Sequence, residues 1–394
     1  MPAVQDIVFV AGRRTPIGAF LGGLSRVSAT ELGSTAARGA LQAAAVDPAL
    51  VDAVYFGNVI QSSKDAAYLA RHVGINAGVP LATPALTLNR ACGSGLEAIV
   101  QGAKSLAIGE ASVVLAGGAE NMSMTPYAMR GVRQGWRMIK RDVDDMLFSA
   151  LHDPKDGCSI GETVERLALE LGITRAEADA AALRGQERAA RALQAGIYAE
   201  EIVPVEVGRG RRARSVELDE CLRPDSTLEG LAALPGLFAP EGVVSAGNSC
   251  GLNDAGAAVV MTTGARAAEL GLTPLGRLLS WGTVGIEPLH MALGPVAASR
   301  QALEHAGLGL EDMDLVELND SFAVQTLAVE RALELDPERV NPNGGALALG
   351  HPMGATGTRL VLSALHELRR RGGGHALCTL CVGGGQGIAA VVGA

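Results

Sequence analysis

The chain has 394 residues, 48% of them hydrophobic, 19% charged and only 3% aromatic, with 51 glycines and a formal net charge of −9. That length suggests two or three domains around a large core, and the scarcity of rings favours a tightly packed α/β enzyme over a ring-built binding surface. The negative balance argues against nonspecific nucleic-acid binding, and no apolar run is long enough for a membrane span.

In chain order, Ile7–Val10 reads as a strand, too short for the core of a signal peptide. Val54–Phe56, Leu86–Leu88 and Val113–Ala116 follow, alternating with Ala-rich helical stretches in the βαβ pattern of a largely parallel sheet. Before the last of these strands lies Asn89-Arg90-Ala91-Cys92-Gly93-Ser94-Gly95-Leu96. Leu96, Ile99, Val100, Ala103, Leu106 and Ala107 then recur at the spacing of one apolar helical face. Two readings of Cys92 stand at this point. A thiol at a helix N-terminus feels free N–H groups and the positive dipole end, which lowers its pKa from roughly 8.5; alternatively it is a small apolar core residue.

Between residues 121 and 250 charged residues become denser, with helices expected over Ile160–Leu171 and Ala176–Ala195. The run Arg209-Gly210-Arg211-Arg212-Ala213-Arg214 reads as a solvated turn or hairpin. From about residue 251 the βα pattern resumes. Residues 38–54 can be laid on residues 300–316 at a constant offset, with Arg, Ala, Leu, Asp and Val recurring. A true repeat implies two similar sheets packed together, with Cys92 and His351 in corresponding places and function between the halves; chance similarity of Ala-rich units is the alternative.

Three further motifs carry chemistry. Glu317-Leu318-Asn319-Asp320-Ser321-Phe322 marks a strand giving way to a helix, where Asn319 serves as a cap or a site residue. His351 is framed by glycines in Asn341-Pro342-Asn343-Gly344-Gly345 and Gly350-His351-Pro352-Met353-Gly354, which leaves room for a ligand near a group able to act as base, acid or donor. Cys378 and Cys381 have CxxC spacing before Gly383-Gly384-Gly385. They lie in a strand-like run, where i and i+3 face opposite ways, and no second Cys/His pair completes a zinc site. Six thinly spread cysteines without a disulfide framework point to a reducing compartment, the cytoplasm.

In order and sequence, NRACGSGLEA, NPNGGALALGHPMGATG and CTLCVGGGQG resemble the thiolase family of acetyl-CoA acetyltransferases and 3-ketoacyl-CoA thiolases, from Val8 to the C-terminus. The resemblance implies an α/β thiolase fold, two similar βαβ halves in five αβαβα layers with an inserted loop domain. The N-terminal half would be 1–120, completed by about 251–275; the loop domain covering CoA would be 121–250, and the C-terminal half 276–394. It implies Cys92 as nucleophile and acyl carrier, His351 as its base and an oxyanion donor, and Cys381 as the acid/base at the second substrate. Asn319 would hold an oxyanion water, and Gly383 would donate its backbone N–H to the other oxyanion.

By position Arg223, Phe238, Ser249, Cys250 and Met291 match CoA and acyl contacts. Cys250 stands where many relatives have serine, and Asn319-Asp320-Ser321-Phe322 departs from the commoner Asn-Glu-Ala-Phe. The expected reaction is acyl transfer between acyl-CoA and acetyl-CoA or CoA, with acetoacetyl-CoA as substrate or product. The alternative is a longer-chain 3-ketoacyl-CoA thiolase; a non-catalytic CoA- or lipid-binding relative is more distant. The implied partners are acyl-CoA substrates and a homodimer or homotetramer; coenzyme A enters as substrate, and no permanent cofactor, metal, nucleic acid or membrane is expected.

Overall fold

The structure, a computed structural model, describes residues 6–135, 143–208, 210 and 213–394. The elements that build the core are, in order, β1 (Ile7–Arg14), α1 (Ala29–Ala44), β2 (Ala53–Gly57), α2 (Leu69–Asn76), β3 (Ala85–Leu88), α3 (Ser94–Ala107) and β4 (Val113–Asn121). There follow α4 (Ile160–Leu171), α5 (Arg175–Gln194), β5 (Asn253–Thr263), β6 (Gly276–Gly285), α6 (Gly294–Ala306), β7 (Leu315–Leu318), α7 (Ala323–Leu333), α8 (Met353–Arg371), β8 (His375–Val382) and β9 (Gln386–Gly393).

The strands hydrogen-bond in the order β7-β8-β9-β6-β1-β5-β4-β2-β3, with the short strand Gly18–Ala19 beside β5. The run β2-β4-β5-β1 recurs as β7-β8-β9-β6, so the weak internal repeat is a repeat of structure. Two expectations need correction. The halves do not have separate sheets, because Ile7–Phe9 of β1 pairs with Gly276–Leu278 of β6 and joins them. The second, parallel pairing, holds for the strands that carried it, β2–β3 and β2–β4, but of the other pairings in the sheet β7–β8 alone is parallel and the rest are antiparallel. The cause is local at β8–β9, where Gly384 and Gly385 take φ of +80° and +77° and close a hairpin, which forces antiparallel pairing.

The layers follow from which faces are apolar. α1 packs on β1 and β5 with α2 beside it, and α6 packs on β6 and β9 at the opposite side. Between them α3 lies against α8. The expected face of α3 packs on α8, with Ala107 only partly buried, and Ser94, Glu97 and Ala98 on its other side are buried too, Ser94 against Gly57 of β2. The two helices meet backbone to backbone. A Cβ on Gly357 would lie 2.3 Å from the Leu96 nitrogen, one on Gly95 would lie 2.7 Å from the Gly354 carbonyl oxygen, and Thr358 donates to the Gly95 carbonyl at 3.0 Å.

The segment between β4 and β5 adds α4 and α5, which pack on α7 through Val164, Leu167, Ala178, Ala182 and Val324. α4 starts where the sequence places it because Ser159 and Glu162 form a capping box, and it stops at Gly172, φ +61°. Val205–Val207 and Arg214–Val216 pair antiparallel around the basic run, whose Arg209, Arg211 and Arg212 lie outside the described residues. Arg14, fully buried, ties this segment to β1 through Glu201 at 2.9 Å and Asp219 at 2.7 Å.

Candidate active site

Cys92 sits two residues ahead of α3 and His351 two ahead of α8, so the crossing of these helices brings the two side chains to one place. The loop before α3 is pinned by its own polar groups. The Ala91 N–H donates to Asn89 Oδ1 at 2.8 Å, the Arg90 N–H to Ser94 Oγ at 2.8 Å, and Ala91 is held at φ +41°, a left-handed position rare for alanine. The loop before α8 is held from β5: Asn253 Oδ1 accepts the His351 N–H at 2.8 Å, beside Gly350 at φ +107°.

A cavity of about 290 Å³ opens between these loops and the segment before β5. Of the residues singled out in the sequence, Cys92, His351, Cys381, Phe238, Ser249, Cys250 and Met291 line it. Gly383 and Asn319 stand behind it: the Gly383 N–H faces the Cys92 sulfur, and Asn319 Nδ2 is 3.5 Å from His351 Nε2. Asn319 Oδ1 is buried and has no hydrogen-bond partner. Arg223 lies apart on the surface, its backbone N–H donating to Gln186 at 2.8 Å. Along β8 the two CxxC thiols separate, Cys378 into the central core and Cys381 into the cavity.

The imidazole tautomer follows from its contacts. Thr356 Oγ1 donates to the Pro352 carbonyl at 3.0 Å, so it accepts from His351 Nδ1–H at 2.8 Å, and Nε2 carries the lone pair, with Asn319 Nδ2 at 3.5 Å from it. Burial, with Arg359 nearby, pushes the His351 pKa down to about 3, so the ring is neutral.

Of the two readings of Cys92, the thiol with a lowered pKa does not hold. Burial, followed by the proximity of Cys381, pushes Cys92 up to about 12 despite the N–H groups of Gly383 and Cys92 itself, and burial pushes Cys381 up to about 11. The dipole argument fails because α8 and the segment before β5 remove water from the sulfur, and desolvation outweighs the helix end. Both cysteines are therefore neutral thiols before substrate arrives.

Sequence reasoning missed Thr356, Asn253 and Glu120 as supports of the site. Buried Glu120 accepts from the Val59, Ile60 and Gly354 N–H groups at 3.0, 3.0 and 2.9 Å, fixing the start of α8. Thr356 lies inside a motif already marked, five residues past the histidine; Asn253 and Glu120 carry no local signal.

A family model described as the thiolase N-terminal domain matches residues 7–265, and one described as the thiolase C-terminal domain matches residues 272–394. Beta-ketothiolase BktB of Cupriavidus necator is 48% identical over 389 residues, covering 98% of each chain. The mitochondrial 3-ketoacyl-CoA thiolase of Mus musculus is 45% identical over 100% of this chain and 99% of that one. Human mitochondrial 3-ketoacyl-CoA thiolase in complex with CoA superposes with a TM-score of 0.96 at 45% identity, over 100% of this chain and 98% of that one. The acetyl-CoA acetyltransferase of Bacillus anthracis does so at 0.97 and 40% identity over both whole chains. With both family models matched in sequence order and a fold shared along its whole length, the chain belongs to the thiolase family.

Proposed function

We propose that this acyltransferase interconverts two acetyl-CoA with acetoacetyl-CoA and CoA by a ping-pong route. The observation that carries the reading is the meeting of two neutral thiols and a neutral imidazole on one cavity, with the Gly383 N–H aimed at Cys92. Cys92 Sγ attacks the thioester carbonyl while His351 Nε2 takes its proton. The oxyanion is held by the N–H groups of Cys92 and Gly383. Collapse expels CoA sulfur, which recovers the proton, and leaves an acyl-enzyme. Cys381 then passes its thiol proton to His351 Nε2 and, as the thiolate, removes a proton from the α-carbon of a second acetyl-CoA. The resulting carbanion attacks the acyl group, and the Cys92 sulfur it displaces takes the proton back from His351. His351 Nε2–H and a water on Asn319 Oδ1 would stabilise the enolate oxygen. Arg223, Phe238, Ser249 and Cys250 would be the residues by which the segment 121–250 holds CoA, and Met291 would border the acyl group.

A second reading, a longer-chain 3-ketoacyl-CoA substrate, is favoured by one feature. Ile60, Met122, Met353, Leu147, Leu151 and Leu252 form an apolar wall around Cys92. The six free cysteines support a reducing compartment such as the cytoplasm. The strand β3 is paired on one side only and exposes Leu86, which supports a dimer, and a tetramer built from dimers, through that edge.

CoA-dependent cleavage of acetoacetyl-CoA, followed by thioester absorbance, tests the reading beside 3-ketooctanoyl-CoA. Cleavage by the parent chain, lost in Cys92→Ser, is expected. No cleavage of either substrate would sink it, and faster turnover of the longer one would select the second reading.

A further inference from the structure

We propose that Ser321, one of the two departures from Asn-Glu-Ala-Phe, is a positioning residue whose hydroxyl donates to the Cys381 sulfur and holds it as the thiolate that the carbon–carbon step uses. The inference rests on the thiolase reading of the site and adds a residue that reading does not use.

Ser321 Oγ lies 3.7 Å from Cys381 Sγ. It accepts from Asn319 Nδ2 at 2.9 Å, while the Ser321 N–H donates to Gln325 Oε1 at 3.1 Å. The amide hydrogen occupies a lone pair of the hydroxyl oxygen, and Cys381 is the acceptor within reach for the hydroxyl hydrogen. The chain Asn319 → Ser321 → Cys381 thus points every donor toward the sulfur, and successive donors of this kind polarise one another. All three side chains are buried, where a hydrogen bond to a charged group counts most. Burial opposes the ionisation of Cys381. Cys92, Cys250 and neutral His351 line the same cavity, and Asp320 is buried next to Ser321. Consistently, the hydroxyl lowers the pKa of Cys381 against the larger effect of burial. An alanine at this position supplies no donor, so the hydroxyl gives this chain a contact that the commoner motif lacks.

The test compares Ser321→Ala and Ser321→Thr with the parent chain. Acetylation of Cys92 by acetyl-CoA is read by mass spectrometry, and acetoacetyl-CoA turnover is read across pH. Expected for Ser321→Ala is acetylation of Cys92 within about twofold of the parent, turnover reduced roughly tenfold near neutral pH, and a pH profile displaced upward. Ser321→Thr should restore rate and profile. A parent-like pH profile in Ser321→Ala, or a loss carried equally by Cys92 acetylation, overturns the proposal. A parent chain that fails to cleave acetoacetyl-CoA overturns the thiolase reading instead.

Discussion

His351 Nδ1 lies 2.8 Å from Thr356 Oγ1, and the threonine hydroxyl itself donates to Pro352 one turn back in the chain. One helical hydroxyl therefore decides which nitrogen of the base carries the proton. In Thr356→Val the ring keeps its packing but loses that acceptor, and the other tautomer gains ground. Acetoacetyl-CoA cleavage should fall roughly tenfold or more in kcat/KM. Thr356→Ser should retain most of it, and equal activity of the valine variant would remove the tautomer argument.

The buried thiols make a prediction about reagents. Alkylation of Cys92 by iodoacetamide, followed at its own peptide, should rise about tenfold per pH unit from about pH 7 to about pH 9. The rate should not level off, because the thiol pKa is held near about 12. A plateau by about pH 8 would mean a preformed thiolate.

His351 also links folding to pH. Its folded pKa, about 3, is below the 6.5 of a free histidine. Between those values the unfolded chain binds a proton that the folded chain does not. The contribution is therefore complete above pH 6.5 and is lost as pH falls, at up to about 1.4 kcal/mol per pH unit. Urea unfolding of the parent and His351→Asn at about pH 7 and about pH 5 should show the stability gap shifting against the parent at the lower pH. A gap that does not move contradicts the buried neutral ring.

Gly350 has φ +107°, and a Cβ there would meet the Asn253 side chain at 2.4 Å. Gly350→Ala should displace the loop that carries His351 and lower kcat/KM roughly tenfold or more. Gly172→Ala is the control, since Gly172 is also left-handed, φ +61°, but faces open space. That variant should lose about 1 kcal/mol of stability and no activity, as melting curves and turnover would show. Matching activities in the two variants would refute the role of the loop.

What the sequence made legible was what is encoded locally. The α4 boundaries are set by Ser159, Glu162 and Gly172, all within one short stretch, and strands β2, β3 and β4 follow from their apolar runs. The motif residues Cys92, His351 and Cys381 converge on one cavity as expected. Strand direction beyond the parallel β2, β3 and β4 was not legible, because it depends on the hairpin at Gly384 and on where the long insertion returns to the sheet. Nor were Asn253 and Glu120, whose polar side chains look like ordinary strand residues until the loops they hold are folded onto them. Which of the two readings of Cys92 holds was not legible for the same reason. A helix end can be read from neighbouring residues, but the loss of water comes from segments far along the chain.

The contact between α3 and α8 has a consequence for how this protein can change over time. Because the nucleophile and the base are spaced by two main chains touching at Gly95 and Gly357, no side chain acts as the adjustable shim between them. The hydrophobic residues around the crossing can be exchanged for others, to suit a hotter or colder habitat, without retuning the reactive distance. The same arrangement leaves Gly95 and Gly357 little freedom to vary, so the site should persist unaltered until one of them is lost and then fail in a single step.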